Sequence, residues 1–442
     1  MKIIRLIIAV ILVCSPVKLL FAVGSGGFMN QVVGTKALGA GNAFVAQADD
    51  PSAIYFNPAG LNQLPGSQIS LGGTILGSDT KYTSTSGQST DMENETHFIP
   101  NFYVTHRFSN DKFAAGIGFT SPFGLSTEWS NTSPLRYVAT KSKIKTYNIN
   151  PSVSYQINPA FSFGFGVDYM TVDTVELDKQ LNVTLVNAAI RANLGFPPAG
   201  IYPDGSSELK GDADGWGYNL GVLYKPLERH QFGASYRSQI NTTIEGKTTL
   251  TGLADESAAV FGGTAYETNA KSSLNFPQSL LLGYAYKPTN KWTFEMDYEW
   301  VGWSSIDETK IDYSETNPSR LGILNTDNPT PRSWQDSNNV GLGGNYKIND
   351  TWDVRGGYWY FERVVPNRTF DPSLPENTRN ALTLGASLNL GPSTIDFAYN
   401  AIFFRDRNVD NSVGSSSSSS VDGKYETFSN LFAVNYTYRF SL

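Results

Sequence analysis

Phe161, Phe163, Phe165, Val167 and Tyr169 alternate with Ser162, Gly164, Gly166 and Asp168, so one face of this segment is oily and the other small or polar. A period of two is the mark of an extended strand. It returns at Trp216, Tyr218, Leu220, Val222 and Tyr224, and again at Trp292, Phe294, Met296, Tyr298 and Trp300. Opposite the last set stand Glu295, Asp297 and Glu299. Large aromatics backed by three carboxylates suit a wall with lipid outside and a polar lumen inside. On this reading the carboxylates are a solvated stripe of the lumen, not a catalytic pair. A water-soluble sandwich with its aromatics turned inward obeys the same alternation, so the pattern alone leaves both open.

Turn spacing separates them. Short polar connections occur at 109–112, 158–160, 226–230, 288–291, 349–351 and 391–393. Between them lie long segments rich in Ser, Thr, Asn and Asp, near 79–97, 122–144, 174–213, 240–274, 303–336, 362–379 and 405–427. Six short connections alternating with seven long ones join fourteen strands, an even number with both chain ends on the short-turn side. Bacterial outer-membrane barrels have this asymmetry, with short periplasmic turns and long extracellular loops. The first strand starts near Gly66 and the last contains Phe432, Val434, Tyr436, Tyr438 and Phe440. Pairing the two would remove the sheet edges, which lipid cannot satisfy. The fold class expected is therefore all-β, a 14-stranded antiparallel transmembrane β-barrel over residues 66–442.

Composition agrees. Aromatic residues make up 13% of the chain and charged residues only 17%, with 41 glycines, a mixture suited to many strands and tight turns. After residue 22 there is no apolar run of the roughly 18 residues that a membrane-crossing helix needs. Residues 1–22 read as a signal peptide, with Lys2 and Arg5 ahead of the apolar run from Leu6 to Val13 and Ala22 at the cleavage point. The single cysteine, Cys14, lies inside that segment, which leaves no disulfide framework and no thiolate metal site in the mature chain. A net charge of −7 gives no pull toward nucleic acid.

Residues 23–65 do not alternate; they are rich in Gly and Ala, compact, and able to pack closely against a barrel wall. They are expected to form an N-terminal hatch inside the lumen, a flexible periplasmic leader being the other possibility. Here the sequence resembles the FadL/TodX-type outer-membrane transporters of long-chain fatty acids and aromatic hydrocarbons. The resemblance rests on Gly27–Phe28, on ADDPSAIYFNPAGL with its Asn57–Pro58–Ala59, and on SPFGL at Ser121 to Leu125. Further matches are GDADGWGYNLG from Gly211, YRS at Tyr236 to Ser238, and WTFEMDYEWVGWS from Trp292.

The resemblance implies a plugged fourteen-stranded barrel that captures ligand in an extracellular groove, passes it to an internal apolar pocket and releases it sideways through a gap in the wall. It assigns ligand contact to Phe28, the hatch motif to Asn57, Pro58 and Ala59, and the kink of the third strand to Gly124, with Pro122 and Phe123 beside it as candidate gating residues. Pro122 and Gly124 make sense there independently, because Pro removes a ladder donor and Gly permits a bulge. The expected partners are a long-chain fatty acid or other hydrophobic small molecule, with outer-membrane lipid and lipopolysaccharide around a monomer; no cofactor is expected. A carboxylate ligand would want a cation, for which Arg136, Arg237, Arg332 and Arg379 are candidates, whereas a toluene-like solute needs none. Val183 to Leu194 is expected to be a short loop helix with an apolar face, either part of the capture groove or ordinary loop packing.

Two other functions compete. A general diffusion porin would want an open, charged lumen, and a hydrolase a Ser/His pair, which His106 and His230 do not offer in sequence. Asp212 and Asp214 resemble the start of a calcium loop, but Leu223 stands where the distal Glu belongs.

Overall fold

The computed structural model describes residues 27–440 apart from 110, 199 and 418, so the expected signal peptide and residues 23–26 lie outside the described residues. Fourteen antiparallel strands form the wall. They are β1 (Ser67–Ser84), β2 (Thr96–Arg107), β3 in two pieces (Phe113–Thr120 and Gly124–Glu128), β4 (Lys141–Asn158), β5 (Phe161–Leu181) and β6 (Gly205–Leu227). Then come β7 (His230–Arg237 and Ile240–Thr251), β8 (Ala265–Phe276 and Ser279–Tyr286), β9 (Trp292–Val301), β10 (Ser337–Lys347) and β11 (Trp352–Phe361). The set ends with β12 (Arg379–Leu390), β13 (Ser393–Phe404) and β14 (Gly423–Phe440). Each pairs with its sequence neighbours, and β14 closes on β1 in unbroken register from Ser67↔Phe440 to Ser84↔Gly423.

Closure settles which face is oily. Phe163 and Phe165 are each 40% exposed and Trp216 66%, whereas Gly164, Gly166 and Asp168 between them are buried. The aromatics therefore point outward, as a barrel in lipid requires and a soluble sandwich does not. No helix among the described residues is long and apolar enough to cross a membrane.

Several strands run further than expected. β5 continues to Leu181, β6 begins at Gly205 and β7 reaches Thr251, all inside segments that read as loops. Above the lipid the outward face meets water and turns polar while the inner face stays buried, as at Ile240, Ile244 and Leu250, so the oily outer face disappears although the ladder continues. Cross-strand ion pairs mark that zone: Lys247 with Glu267 and Lys271 with Glu245, each at 2.6 Å between β7 and β8. The loop helix α1 (Val183–Asn193) forms as its spacing predicts, with Asn182 Oδ1 accepting from the Leu185 N–H at 2.9 Å.

Residues 27–66 fill the interior. Their side chains and backbone touch inward-facing groups from most of the wall: Thr74 of β1, Ser154 of β4, Gln231 of β7, Thr383 of β12 and Asn435 of β14 all bond to them. Small wall residues make the room. A Cβ on Gly233 would lie 2.2 Å from the Val45 carbonyl, and one on Gly357 2.4 Å from the Gly41 nitrogen.

Candidate ligand pathway

β3 breaks where Pro122 cannot donate to a ladder. Its first piece pairs with both β2 and β4, but Gly124–Glu128 pairs only with β4. β2 residues 96–101 keep β1 as partner and have no ladder partner on their other side among the described residues, which leaves an interrupted wall. Ser121 and Phe123 turn instead to Thr146 of β4, where its register with β5 shifts: Ser121 Oγ donates to the Thr146 carbonyl at 2.7 Å, and Thr146 Oγ1 donates to the Phe123 carbonyl at 2.6 Å.

The leading segment occupies the inner side of this break. The Asn30 N–H donates to the Pro122 carbonyl at 2.6 Å, and the Gly124 N–H to the Phe28 carbonyl at 2.8 Å. Phe28 itself is 3% exposed, boxed by Phe123, Phe276, Trp303 and Trp334 at centroid distances of 6.0, 5.9, 5.2 and 5.6 Å. Gly27 has φ +51°, and a Cβ there would meet the Trp303 ring at 2.7 Å, so the approach to the box requires glycine. Phe28, Pro122, Phe123 and Gly124, expected to act together, are thus adjacent. Three of the box residues, Phe276, Trp303 and Trp334, were not singled out as site residues. They come from beyond residue 270, Phe276 at the break within β8 and Trp303 just past the end of β9, and no local pattern ties them to Phe28.

Asn57, Pro58 and Ala59 sit elsewhere. Asn57 Nδ2 donates to the Val45 and Val222 carbonyls at 2.8 and 3.0 Å, while its Oδ1 accepts from the Ala59 N–H at 3.1 Å and caps the 3-10 turn Pro58–Gln63. The turn presses on the bare backbone of β5 and β6, where a Cβ at Gly164 would come 2.3 Å from the Ala59 nitrogen. These three residues dock the segment on the wall and are not part of the box.

The carboxylates of β9 correct the sequence reading. They are not a solvated stripe: Glu295, Asp297 and Glu299 are 6, 5 and 5% exposed. Asp297 Oδ2 accepts from the Phe44 and Val45 N–H groups at 2.7 and 2.9 Å, and Glu295 from those of Ala46 and Gln47 at 2.7 and 3.0 Å. Glu299 accepts from Gln31 and from Asn339. Four consecutive backbone donors of the leading segment are held by two side chains of one strand. On the same segment Lys36 and Asp49 pair at 2.6 Å. Burial works against both charges, but their mutual attraction outweighs it, raising the Lys36 pKa and lowering that of Asp49. Burial pushes neighbouring Asp50 up to about 6 despite its bonds from Ser52.

Above the box, buried apolar side chains continue through Trp129, Val364, Phe370 and Tyr425 toward the long loops. There a cavity of about 930 Å³ is lined by Leu185, Val186 and Ile190 of α1, by Leu250 and Ile323, and by Lys179. Of the candidate cations, Arg136 pairs with Asp204 at 2.9 Å, Arg237 with Asp168 and Arg332 with Asp371. Arg379 differs. It is 1% exposed, lies 4.9 and 5.0 Å from the ring centroids of Phe361 and Phe404, and its three guanidinium nitrogens find no hydrogen-bond acceptor among the described residues. Glu376, the acid in that neighbourhood, is taken by Arg407 and by the Val365 N–H.

Residues 21–440 match the family described as outer membrane protein transport protein (OMPP1/FadL/TodX). The chain belongs to that family. It is 26% identical to the long-chain fatty acid transport protein of Salmonella typhi, over 94% of each chain. It is 24% identical to that of Escherichia coli K12, over 94% of this chain and 95% of that one. Among solved structures, a Pseudomonas aeruginosa FadL homologue superposes with a TM-score of 0.78, at 22% identity over 94% of this chain and all of the other. The Ralstonia pickettii toluene transporter TbuX gives 0.70, at 21% identity over 92% and 98%.

This member of the FadL/TodX family is accordingly an outer-membrane barrel for transport of hydrophobic molecules. One detail departs from the sequence reading. His106 does have a serine companion, Ser67 Oγ at 2.8 Å from Nδ1, but the two are directly opposed on paired strands, an ordinary cross-strand contact. Asp212 and Asp214 lie on the extended strand β6, not in a loop that wraps an ion.

Proposed function

We propose that this barrel takes up long-chain fatty acids: capture in the 930 Å³ cavity, passage along the apolar column to the Phe28 box, and release sideways at the β3 break. Residues 27–66 act as the hatch, with Phe28 as its movable end and Asn57–Pro58–Ala59 as its fixed one. The observation carrying this reading is the junction of Phe28 with the broken strand, where apolar box, gap and leading segment meet. Each buried methylene contributes about 0.8 kcal/mol, so a long chain loads readily and leaves only if the box changes shape. A lumen filled by its own chain argues against a general diffusion porin. An acid is preferred over a neutral aromatic because the Arg379 guanidinium is buried without a hydrogen-bonded acceptor among the described residues, and a buried charge without hydrogen bonds is costly.

The names of the relatives divide between fatty acid and toluene transport, so the test must separate the two. A deletion strain complemented with this gene should take up oleate, and Arg379→Gln should reduce oleate uptake while sparing toluene entry. Toluene uptake without oleate uptake would replace the acid reading with the hydrocarbon one.

A further inference from the structure

We propose that the outer face of β9–β11 carries a seat for one acyl chain of a periplasmic-leaflet phospholipid, with Lys291 at its phosphate end. In the β10–β11 ladder Gly343 pairs with Gly357 and Gly344 with Gly356, a two-by-two patch with no side chain on either face. The inward pair receives the hatch: Cβ atoms on Gly343 and Gly357 would lie 2.4 Å from the Ala40 carbonyl oxygen and the Gly41 nitrogen. The outward pair has no such occupant. Gly344, with the bare backbone of Gly343 and Gly357, floors an open concavity of about 660 Å³, walled by Phe294, Met296, Leu342 and Tyr358. Pockets that hold small ligands run to roughly 300–1,000 Å³.

The surroundings name the occupant. Met296 and Leu342 are 53 and 43% exposed and belong to the oily outer face, so hydrocarbon is what meets this dent in the membrane. It lies toward the short-turn ends of its strands, Tyr286 being the last residue of β8 and Lys347 the last of β10, and short turns are periplasmic. At that end Lys291 reaches out beside Tyr346, its Nζ 6.0 Å from the ring centroid, with no carboxylate within ion-pair distance among the described residues. An aromatic belt with a cation at its edge complements a phosphate headgroup. The seat also has a structural consequence, because only backbone separates the lipid from Ala40 and Gly41, and a bound chain braces the wall where the hatch presses on it.

The test fills the dent from outside. A Cβ on Gly344 meets nothing nearer than Phe294 at 3.5 Å, and one on Gly356 nothing nearer than the Thr383 carbonyl at 3.5 Å, so Gly344→Leu/Gly356→Leu leaves the hatch face untouched. The full-length protein is reconstituted with palmitoyl-oleoyl-phosphatidylglycerol, exchanged into detergent and examined by native mass spectrometry, with heat-modifiable gel mobility as the folding check. Wild type should retain a single phospholipid. The double leucine variant should retain at least about tenfold less, and Lys291→Glu, which alters no wall residue, about fivefold less. Equal retention by wild type and Lys291→Glu, or by wild type and a folded double variant, would overturn the seat. So would retention of lipopolysaccharide in place of phospholipid.

Discussion

The leading segment, the hatch of the proposed function, is held at two places by opposite kinds of chemistry. At Phe28 the contact is apolar, a ring among four aromatic neighbours with two backbone hydrogen bonds to a strand that is itself broken. At residues 44–59 it is polar, with two carboxylates gripping four consecutive N–H groups and Asn57 bonded to both hatch and wall. An apolar solute can substitute for an aromatic ring at little cost, but it offers nothing to a buried N–H. On the proposed function, the first end exchanges with ligand while the second holds, so that one end of the plug moves without the plug being lost.

The strongest way to break this contrast is at the carboxylates. Glu295→Ala/Asp297→Ala leaves the N–H groups of Phe44, Val45, Ala46 and Gln47 buried without acceptors, at about 1–3 kcal/mol each. The hatch should come loose, giving ionic conductance in planar bilayers and proteolytic cleavage within residues 27–66. Silent bilayers and a protected hatch would mean that the polar end is not what retains it.

A smaller loosening should follow from Gly164→Ala, whose Cβ would press to 2.3 Å on the Ala59 nitrogen, a backbone atom that cannot rotate away. Overpacking of this kind costs about 1–3 kcal/mol. Gly77→Ala, which meets nothing within 4 Å, is the control. Thermal unfolding should separate the two variants; coincident transitions would show that the turn yields freely.

Phe28→Ala should act on ligand and leave closure alone. Both backbone bonds to β3 survive the substitution, so bilayers stay silent, while oleate affinity falls about tenfold, the equivalent of roughly 1.4 kcal/mol. Unchanged affinity and uptake would remove Phe28 from the pathway.

How much of this was legible in the sequence follows from where each partner lies in the chain. Phe163 and Phe165 declared their face because lipid imposes a period of two on adjacent residues. The β3 break was legible in Pro122 and Gly124 for a similar local reason. Glu295, Asp297 and Glu299 obey the same period yet misled, because a lumen filled with water and a lumen filled with backbone N–H groups both accept carboxylates. The donors to Glu295 and Asp297 sit about 250 residues earlier, at Phe44 to Gln47. The upper strands, such as Ile240–Thr251, keep a period of two, but their outer face is polar and Thr and Gly interrupt the apolar residues of the inner one, so they lack the aromatic face that marked the lower strands. Arg379 could be named as a cation but not chosen among four, since its isolation depends on Arg407 having taken Glu376.

The smallest expected effect is a pH dependence of the polar end. Burial raises Asp50 from an ordinary carboxyl value to about 6, so the folded hatch holds a proton more tightly than the unfolded chain does. Where the folded pKa exceeds the unfolded one, stability through that group is full below the unfolded value and declines as pH rises through the folded value. Asp49 has the opposite sign. Paired with Lys36, its pKa is lowered, so its contribution is present at neutral pH and is lost only in strong acid. Of these two, only Asp50 changes between pH 8 and pH 5, and through it the hatch should become harder to release as the medium is acidified across that interval. Protease protection of residues 27–66 should then be greater at pH 5 than at pH 8. Asp50→Asn, which cannot ionise, should flatten the profile at the protected level. A wild-type profile with the reverse slope would mean that protonation within the lumen weakens the grip of Asp297 and Glu295 more than it relieves Asp50, placing the pH-sensitive latch on the wall and not on the plug.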